Sequence, residues 1–205
     1  MKLPSAQTAL LILVFFLAGC AAGYKPINPP SIHYQSYDLQ NGIIFSYKFD
    51  VLGEQGNKKY AKREVANGIR IVAVSLTNNS DSDFNVGTQV EFFSGANRVF
   101  LMDPMDVKNA IKQNMDQFLL YLLISGVYIK VDNGGGSKVY PVGLIFGPLL
   151  TLDNMVTAAS ANKKLLEELI RYNLSDKIIR KGETVYGIIS FQGTGYDPVS
   201  IKLKN

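Results

Sequence analysis

Cysteine and histidine, the residue types most often used in metal binding and nucleophilic catalysis, each occur once in this chain. The cysteine is Cys20 and the histidine is His33. A single cysteine excludes a disulfide within the chain, and one residue of each type excludes a Cys/His zinc cluster, so we expect no metal and no cofactor. His33 follows a run of prolines that predicts a solvated, extended segment, and it is not expected to activate Cys20 for catalysis. What remains is a lone thiol close to the N-terminus.

The residues before Cys20 have the composition of an export signal. Met1 and Lys2 form a short positive start, and residues 9–18 are apolar without interruption. A run of this length is too short for a comfortable transmembrane helix, which needs ~20 apolar residues. We therefore interpret residues 1–19 as a signal peptide that is cleaved before Cys20.

The four residues Leu17-Ala18-Gly19-Cys20 resemble the lipobox of bacterial lipoproteins. The resemblance implies that a signal peptidase recognises Leu17, Ala18 and Gly19. It also implies that a diacylglycerol alkylates the Cys20 thiol, which makes Cys20 the lipid-bearing first residue of the mature chain. Two or three fatty acyl chains, such as palmitate, give stable membrane anchoring where one chain would be marginal. The alternative is a plain signal peptide, or an N-terminal membrane helix, in which Cys20 is incidental.

The residues after Cys20 bear on where such a lipoprotein is delivered. In the sorting scheme that the resemblance implies, an Asp directly after the lipidated cysteine retains a lipoprotein in the inner membrane, whereas here Ala21 follows. No acidic pair, which marks surface export in some bacteria, follows Cys20 either. In a host with two membranes we therefore expect anchoring in the outer membrane, with the protein facing the periplasm.

The overall composition is that of a globular protein, with 47% hydrophobic and 19% charged residues. The net charge of +4 is too small to indicate a nucleic-acid partner, because nucleic-acid binders carry a concentrated basic face. The one concentration of bases is Lys58, Lys59, Lys62 and Arg63, around Tyr60. We interpret it as a solvated loop or edge strand, with contact to anionic lipid headgroups as the alternative.

The mature chain is predicted to contain strands at both ends and helices in between. Residues 20–36 contain three prolines without a periodic pattern, which predicts a lipidated, extended tether. Alternating or β-branched segments predict strands at residues 43–51, 68–77, 86–92, 185–191 and 199–204. Between these two groups, Asp103 followed by Pro104 is a helix start signal, and residues 162–172 form an amphipathic pattern.

Two segments, residues 72–80 and 181–191, resemble small immunoglobulin-like β-sandwich domains of bacterial lipoproteins. They contain a hydrophobic strand that ends in Asn-Asn-Ser, and later a Gly-Glu pair followed by a strand. The predicted fold class is α+β. An antiparallel immunoglobulin-like β-sandwich of residues 37–103 and 176–205 carries a helical insertion of residues 104–175. The resemblance implies a binding or assembly module that has no active site.

Two other motifs begin to match ligand-binding patterns and then depart from them. Asp81, Asp83 and Asn85 match the start of a calcium loop, but Val86 stands where the loop requires glycine, so a turn is the better interpretation. Residues 134–138 are glycine-rich and end in Ser-Lys, the reverse of the order in a phosphate loop, and they too predict a flexible turn. With no catalytic set of residues in view, we predict that the protein is not an enzyme.

Two nearly uncharged apolar segments, residues 117–131 and 139–152, leave two functions open. The favoured hypothesis is a non-catalytic envelope lipoprotein, a binding or scaffold module whose partner is another envelope protein. The alternative is a lipid-handling or membrane-inserting protein that uses residues 117–152. For residues 118–129 we expect burial in the protein's own core, because a soluble domain rarely exposes a large apolar patch.

Overall fold

The computed structural model describes residues 20–34, 36–132 and 134–204. The described residues form five α-helices, two 3₁₀ helices and eleven β-strands. The helices are α1 (Val51–Glu54), α2 (Lys58–Ala66), α3 (Val86–Gln89), α4 (Pro104–Ile111) and α5 (Gly143–Arg171), with 3₁₀ helices at Pro29–Ser31 and Asp116–Gly126. The strands are β1 (Ser36–Gln40), β2 (Ile43–Lys48), β3 (Ile69–Asn78), β4 (Phe84–Asn85), β5 (Val90–Ser94), β6 (Asn97–Val99), β7 (Ile129–Asp132), β8 (Ser137–Tyr140), β9 (Ile178–Ile179), β10 (Thr184–Gln192) and β11 (Val199–Leu203).

The chain divides into two compact units. Among the described residues, the sheet unit consists of Tyr24–Lys112 and 162–204, and the apolar unit consists of 20–23 and Gln113–Ala161. Helix α5 contributes residues 143–161 to the apolar unit and residues 162–171 to the sheet unit. The prediction placed residues 104–175 in a helical insertion. In the structure, helix α4 and the second part of α5, which fall within that range, belong to the unit that contains the sheets.

Antiparallel sheets form the sheet unit. One sheet has the strand order β1-β2-β3-β10, a second has the order β11-β5-β6, and β4 pairs with β9. In the first sheet, Val74 of β3 lies between Tyr47 of β2 and Gly187 of β10. Strands from both ends of the chain therefore share sheets, which confirms a mixed α+β fold with antiparallel pairing.

One hydrophobic core joins the two larger sheets. Val72, Val74 and Leu76 alternate along β3, so their side chains lie on one face, and they pack with Phe92 of β5 and Ile201 of β11. All five side chains are buried. The β-branched and aromatic content of these strands suits a surface that packs on a second layer, which explains why the sequence pattern located β3, β10 and β11 well.

The helices of the sheet unit lie where the sequence was less explicit. The basic residues 58–63 belong to helix α2, so the expected loop or edge strand at that place is wrong. Tyr60 and Glu64 lie one turn apart on α2 and are both buried, whereas Lys58 and Lys62 are exposed and the other two bases are half-buried. The predicted start of α4 is confirmed, since the Asp103 side chain accepts a hydrogen bond from the Met105 N–H at 2.7 Å and Pro104 is the first helical residue.

The apolar unit combines the 3₁₀ helix Asp116–Gly126, the β7–β8 hairpin and the first part of α5. Residues 134–136 close the hairpin, so the glycine-rich segment is a turn. Gly143 and Gly147 allow α5 to lie against the 3₁₀ helix, because a Cβ atom on Gly143 would overlap the Ile124 carbonyl oxygen and one on Gly147 would overlap Ser125. Gly143 and Gly147 are four residues apart, a spacing of small residues that permits this close backbone approach.

Candidate functional site

Cys20 is a half-buried residue of the apolar unit. The Tyr121 hydroxyl donates a hydrogen bond to its Sγ atom over 3.9 Å. A thioether sulfur accepts such a bond as a thiol sulfur does, so this contact is compatible with an alkylated Cys20. Leu17, Ala18 and Gly19, together with the rest of the predicted signal peptide, lie outside the described residues.

Two buried polar side chains hold the backbone that follows Cys20. The Gln113 side chain accepts a hydrogen bond from the Ala22 N–H at 2.9 Å and donates one to the Ala22 carbonyl at 2.6 Å. The Asn154 side-chain oxygen accepts from the Ala21 N–H at 2.5 Å. Buried backbone groups need partners, and these amides supply them where no strand is adjacent. We refer to Gln113 and Asn154 as the anchor clamp.

A small hydrophobic cluster packs against the backbone that the anchor clamp holds. The rings of Phe118 and Tyr121 are stacked with centroids 6.3 Å apart, and both side chains are buried together with Ala158. Phe118 and Tyr121 are three residues apart in a 3₁₀ helix, which places them on the same side. Ala21 packs against this cluster. The elements around Cys20 therefore combine a fixed backbone with an apolar surface.

Most of the remaining apolar side chains of this unit are exposed. Along the 3₁₀ helix, Leu120 is 61% exposed and Leu123 is 76% exposed, and Leu119 and Leu122 are also exposed. The prediction that residues 118–129 form core is therefore wrong for all but Phe118, Tyr121 and the half-buried Ile124 and Ser125. Helix α5 continues the exposed surface with Leu144, Ile145, Phe146, Leu149, Leu150, Leu152 and Val156.

Helix α5 is the one helix among the described residues that is long and apolar enough to cross a membrane. An 18-residue window within it has a mean hydropathy of 1.3, and 28% of that window is buried. Length and composition alone also admit core helices of soluble proteins. The low burial of α5 is the feature that sets it apart from such a core helix.

The predicted tether does not stand clear of the protein over its whole length. Tyr24 and Ile27 are buried in the sheet unit. The buried Glu168 carboxylate accepts hydrogen bonds from the Tyr24 hydroxyl at 2.5 Å, the Ile27 N–H at 3.0 Å and the Asn28 N–H at 2.9 Å. Burial raises the pKa of the Tyr24 phenol, so Tyr24 keeps its proton and donates to Glu168. His33, in contrast, is exposed.

The acidic loop that follows β3 has structural partners. Asp81 forms an ion pair with Lys181 at 2.7 Å, Asp83 accepts from the Lys181 N–H, and Asn85 caps helix α3 by accepting from the Thr88 N–H. Within the part of the chain that the structure describes, no group of three or more His, Cys, Asp or Glu residues could hold a metal ion.

The anchor clamp and Glu168 are the residues that sequence reasoning missed. Each stands directly beside another polar residue in the sequence, a pattern that is equally common on a solvated helix face. The signal that could have pointed to Asn154 is its spacing of three residues from Thr151 at the end of a long apolar run, which places the two polar side chains on the same side of a helix. For Gln113 and Glu168 we find no such signal.

No family model matches this chain, and no match is found among curated proteins or solved structures.

Proposed function

We propose that this protein is a bacterial lipoprotein without catalytic activity, in which the lipid on Cys20 and the apolar unit enter the same membrane leaflet. The observation that carries the proposal is that Cys20 and the exposed leucines of residues 116–126 belong to one compact unit. The apolar surface thus lies in the part of the protein that bears the anchoring cysteine.

The size of the exposed surface favours a lipid environment. Leu119, Leu120, Leu122 and Leu123 are each close to half exposed or more. Full burial of one leucine side chain is worth ~1.5–3 kcal/mol, so about half of that for each of four leucines is roughly 3–6 kcal/mol. This is comparable with the whole net stability of a typical domain, ~5–15 kcal/mol. Hydrocarbon of the bilayer would remove the same surface from water without any rearrangement of the protein.

The connectivity of the apolar unit favours insertion into one leaflet. Residues 113–161 join the sheet unit at both ends, at Lys112 and at Asn162. A segment whose two ends join one folded unit enters and leaves the membrane on the same side. Residues 117–129 are too few to cross ~30 Å of hydrocarbon, and α5 contains Pro148 in its apolar part. We therefore infer shallow insertion beside the acyl chains.

The location follows from the resemblance to lipoproteins. Ala21 directly follows Cys20, and the lipoprotein sorting scheme then directs the protein to the outer membrane. In this proposal the sheet unit faces the periplasm. The shared core of its two larger sheets supports an immunoglobulin-like β-sandwich as the finer description of that unit.

A binding or scaffold role of the sheet unit is the second candidate function, and one observation favours it. Strand β1 is the terminal strand of its sheet, and its side chains Tyr37 and Leu39 are 75% and 62% exposed. Terminal strands with exposed apolar side chains are surfaces on which a second protein can add a strand. The expected partner is another envelope protein.

The anchor is tested by the substitution Cys20→Ala in the full-length chain. We expect loss of lipid labelling and release of a large part of the protein from the membrane fraction, because the alkylated sulfur is removed. A control, Ser31→Ala, changes an exposed side chain of the 3₁₀ helix Pro29–Ser31 and should leave both readouts unchanged. Unchanged lipid labelling of Cys20→Ala would overturn the anchor.

Insertion of the apolar unit is tested without the lipid. The mature chain 20–205 with Cys20→Ser is mixed with phosphatidylcholine vesicles and separated by flotation. Leu120→Asp should weaken binding by about tenfold or more, since it replaces ~1.5–3 kcal/mol of burial with a charge. Leu39→Asp is the matched control, because Leu39 and Leu120 are equally exposed but lie in different units. Equal losses in both variants, or no binding by the parent chain, would contradict insertion.

A further inference from the structure

Helix α2 and Asn57, the residue before it, form hydrogen bonds at or next to all three points where the chain enters or leaves the sheet unit. Next to the first, the side chain of Asn57 accepts from the Lys25 N–H at 2.9 Å and donates to the Lys25 carbonyl at 2.7 Å. At the second, the Arg63 guanidinium donates to the Lys112 carbonyl. At the third, the Tyr60 hydroxyl donates to the Asn162 side chain at 3.0 Å. Seven consecutive residues, 57–63, therefore gather these three points at one end of the sheet unit.

The side chains around this end of the sheet unit are basic. Lys58 and Lys62 are exposed on α2, Lys25 is exposed beside Asn57, and Lys108 and Lys112 are half-buried at the end of α4. We call these five residues the basic rim. Helices α2 and α4 pack against each other, and the Asn67 side chain donates a hydrogen bond to the Ala110 carbonyl at 3.2 Å, so the bases of the rim lie on adjacent elements of the sheet unit.

Acidic side chains offset little of this charge. The one acid on α2, Glu64, is buried, and its carboxylate accepts a hydrogen bond from the Ile71 N–H at 2.9 Å. Asp103 and Asp106 lie at the opposite end of α4 from Lys112. Glu54 forms an ion pair with Lys48 at 2.9 Å. Asp50 is exposed just before α1, and its charge acts on Glu64, so it offsets part of the rim. The five bases of the rim exceed this one acid, and the rim presents a net positive surface.

Chain length keeps the rim close to the lipid anchor. Lys25 is five residues from Cys20, so their Cα atoms are at most ~18 Å apart even in a fully extended chain. Lys112 is bonded directly to Gln113, the first residue of the second segment of the apolar unit. A lysine side chain is long, and electrostatic attraction extends over a Debye length of ~8 Å at physiological salt. The rim can therefore attract anionic headgroups that lie near the anchor. Asn78, at the other end of strand β3, is ~30 Å from Ile69, the end of the strand that follows α2.

We propose that the basic rim binds the phosphate groups of anionic phospholipids in the leaflet that holds the Cys20 lipid. This inference rests on the proposed function, because the anchor and the apolar unit bring the rim to the membrane. The rim adds a preference for anionic lipid to an anchoring that is otherwise apolar. Lysine ammonium groups suit this role, since they act as point charges toward phosphate without demanding a fixed geometry.

The test compares two kinds of vesicle and two charge-reversal variants. The mature chain 20–205 with Cys20→Ser is floated with pure phosphatidylcholine vesicles and with vesicles that contain phosphatidylglycerol. The rim variant is Lys58→Glu with Lys62→Glu. The control variant is Lys177→Glu with Lys204→Glu, two exposed lysines on either side of α3, which makes the same change in net charge. Lys177 is near the Asn78 end of β3, since the Asn78 side chain donates to the carbonyl of Ile179, two residues after Lys177.

The expected result is a gain in binding of about tenfold or more on adding phosphatidylglycerol, which high salt and the rim variant both abolish. The control variant should retain most of the gain. Binding to pure phosphatidylcholine should be the same in all three proteins, because it reports the apolar unit alone. No gain with phosphatidylglycerol, or a gain that the rim variant keeps, overturns the rim. Absence of binding to phosphatidylcholine would instead count against the proposed function, so the two failures are distinguishable.

Discussion

The side-chain amide of Gln113 pairs with both backbone groups of Ala22, accepting from its N–H at 2.9 Å and donating to its carbonyl at 2.6 Å. This is the pairing that a neighbouring β-strand would provide, made here by one buried side chain. It fixes the backbone two residues after Cys20. Under the proposed function, the lipid on Cys20 would therefore start from a defined position in the apolar unit.

Replacing Gln113 by alanine should release the segment after Cys20. The Ala22 N–H and carbonyl would lose their partner, at a cost of about 1–3 kcal/mol. We expect faster hydrogen exchange of the Ala22 amide, measured by nuclear magnetic resonance on the mature chain. Gln117→Ala is the matched control, since Gln117 is exposed in the same unit. Equal exchange in both variants would show that the clamp does not hold the segment.

Replacing Glu168 by alanine should destabilise the sheet unit. The buried Ile27 N–H and the Tyr24 hydroxyl would lose their acceptor, which is expected to cost roughly 2–4 kcal/mol in a urea titration followed by circular dichroism. The control is Glu167→Ala, because the neighbouring Glu167 is exposed and forms only an ion pair with Lys163 at 3.7 Å. Such exposed pairs contribute about 0–1 kcal/mol. Similar losses from both substitutions would refute the role of Glu168.

The buried Glu64 should make stability fall as the pH rises. Burial raises the pKa of this carboxyl from 4.5 to about 7, against the opposing effects of the Ile71 N–H and Arg70. The folded state then holds the proton more tightly than the unfolded state. The contribution of Glu64 to stability is therefore complete below pH 4.5 and is lost as the pH rises through 7. At about 1.4 kcal/mol per pKa unit, the loss is about 3 kcal/mol.

Glu64→Gln removes this titration while its side-chain oxygen can still accept from the Ile71 N–H. Relative to the parent chain, the variant should gain about 3 kcal/mol in unfolding free energy between pH 4.5 and pH 7.5. Denaturant titrations across this range measure the difference. Glu54→Gln, at an exposed ion-paired position, should run nearly parallel to the parent. A parallel curve for Glu64→Gln as well would contradict the raised pKa of Glu64.

Strands and helix starts were predictable because they depend on local patterns. The β-branched run of β3 and the Asp103-Pro104 signal of α4 are both decided within a few residues. The prediction for the basic residues 58–63 was wrong because this segment has too few apolar residues to show a helical periodicity of hydrophobicity. In α2 only Tyr60 and Glu64 face inward, and a buried glutamate is not recognisable from sequence.

The fate of the apolar run could not be read from hydrophobicity. Phe118 and Leu120 are equally apolar in the sequence, but Phe118 is buried and Leu120 is exposed. The hydrophobicity of a side chain indicates that its burial is favourable. Whether the protein's own core can bury it depends on the size of the unit that contains it, because a small unit buries a smaller fraction of its surface. The anchor clamp was not predictable either, because Ala22 and Gln113 meet across ninety-one positions of sequence.

The most direct test of the account uses the fact that Cys20 is the only cysteine. In the mature chain with Cys20→Ser, a new cysteine replaces either Leu120 or Leu39, which are 61% and 62% exposed, and carries an environment-sensitive dye. Phosphatidylcholine vesicles, with and without bromine on the acyl chains, are then added. The account predicts a blue shift and bromine quenching for the dye at position 120, and neither for the dye at position 39. A dye at position 120 that stays in water, or equal quenching at both positions, would contradict insertion of the apolar unit into the membrane.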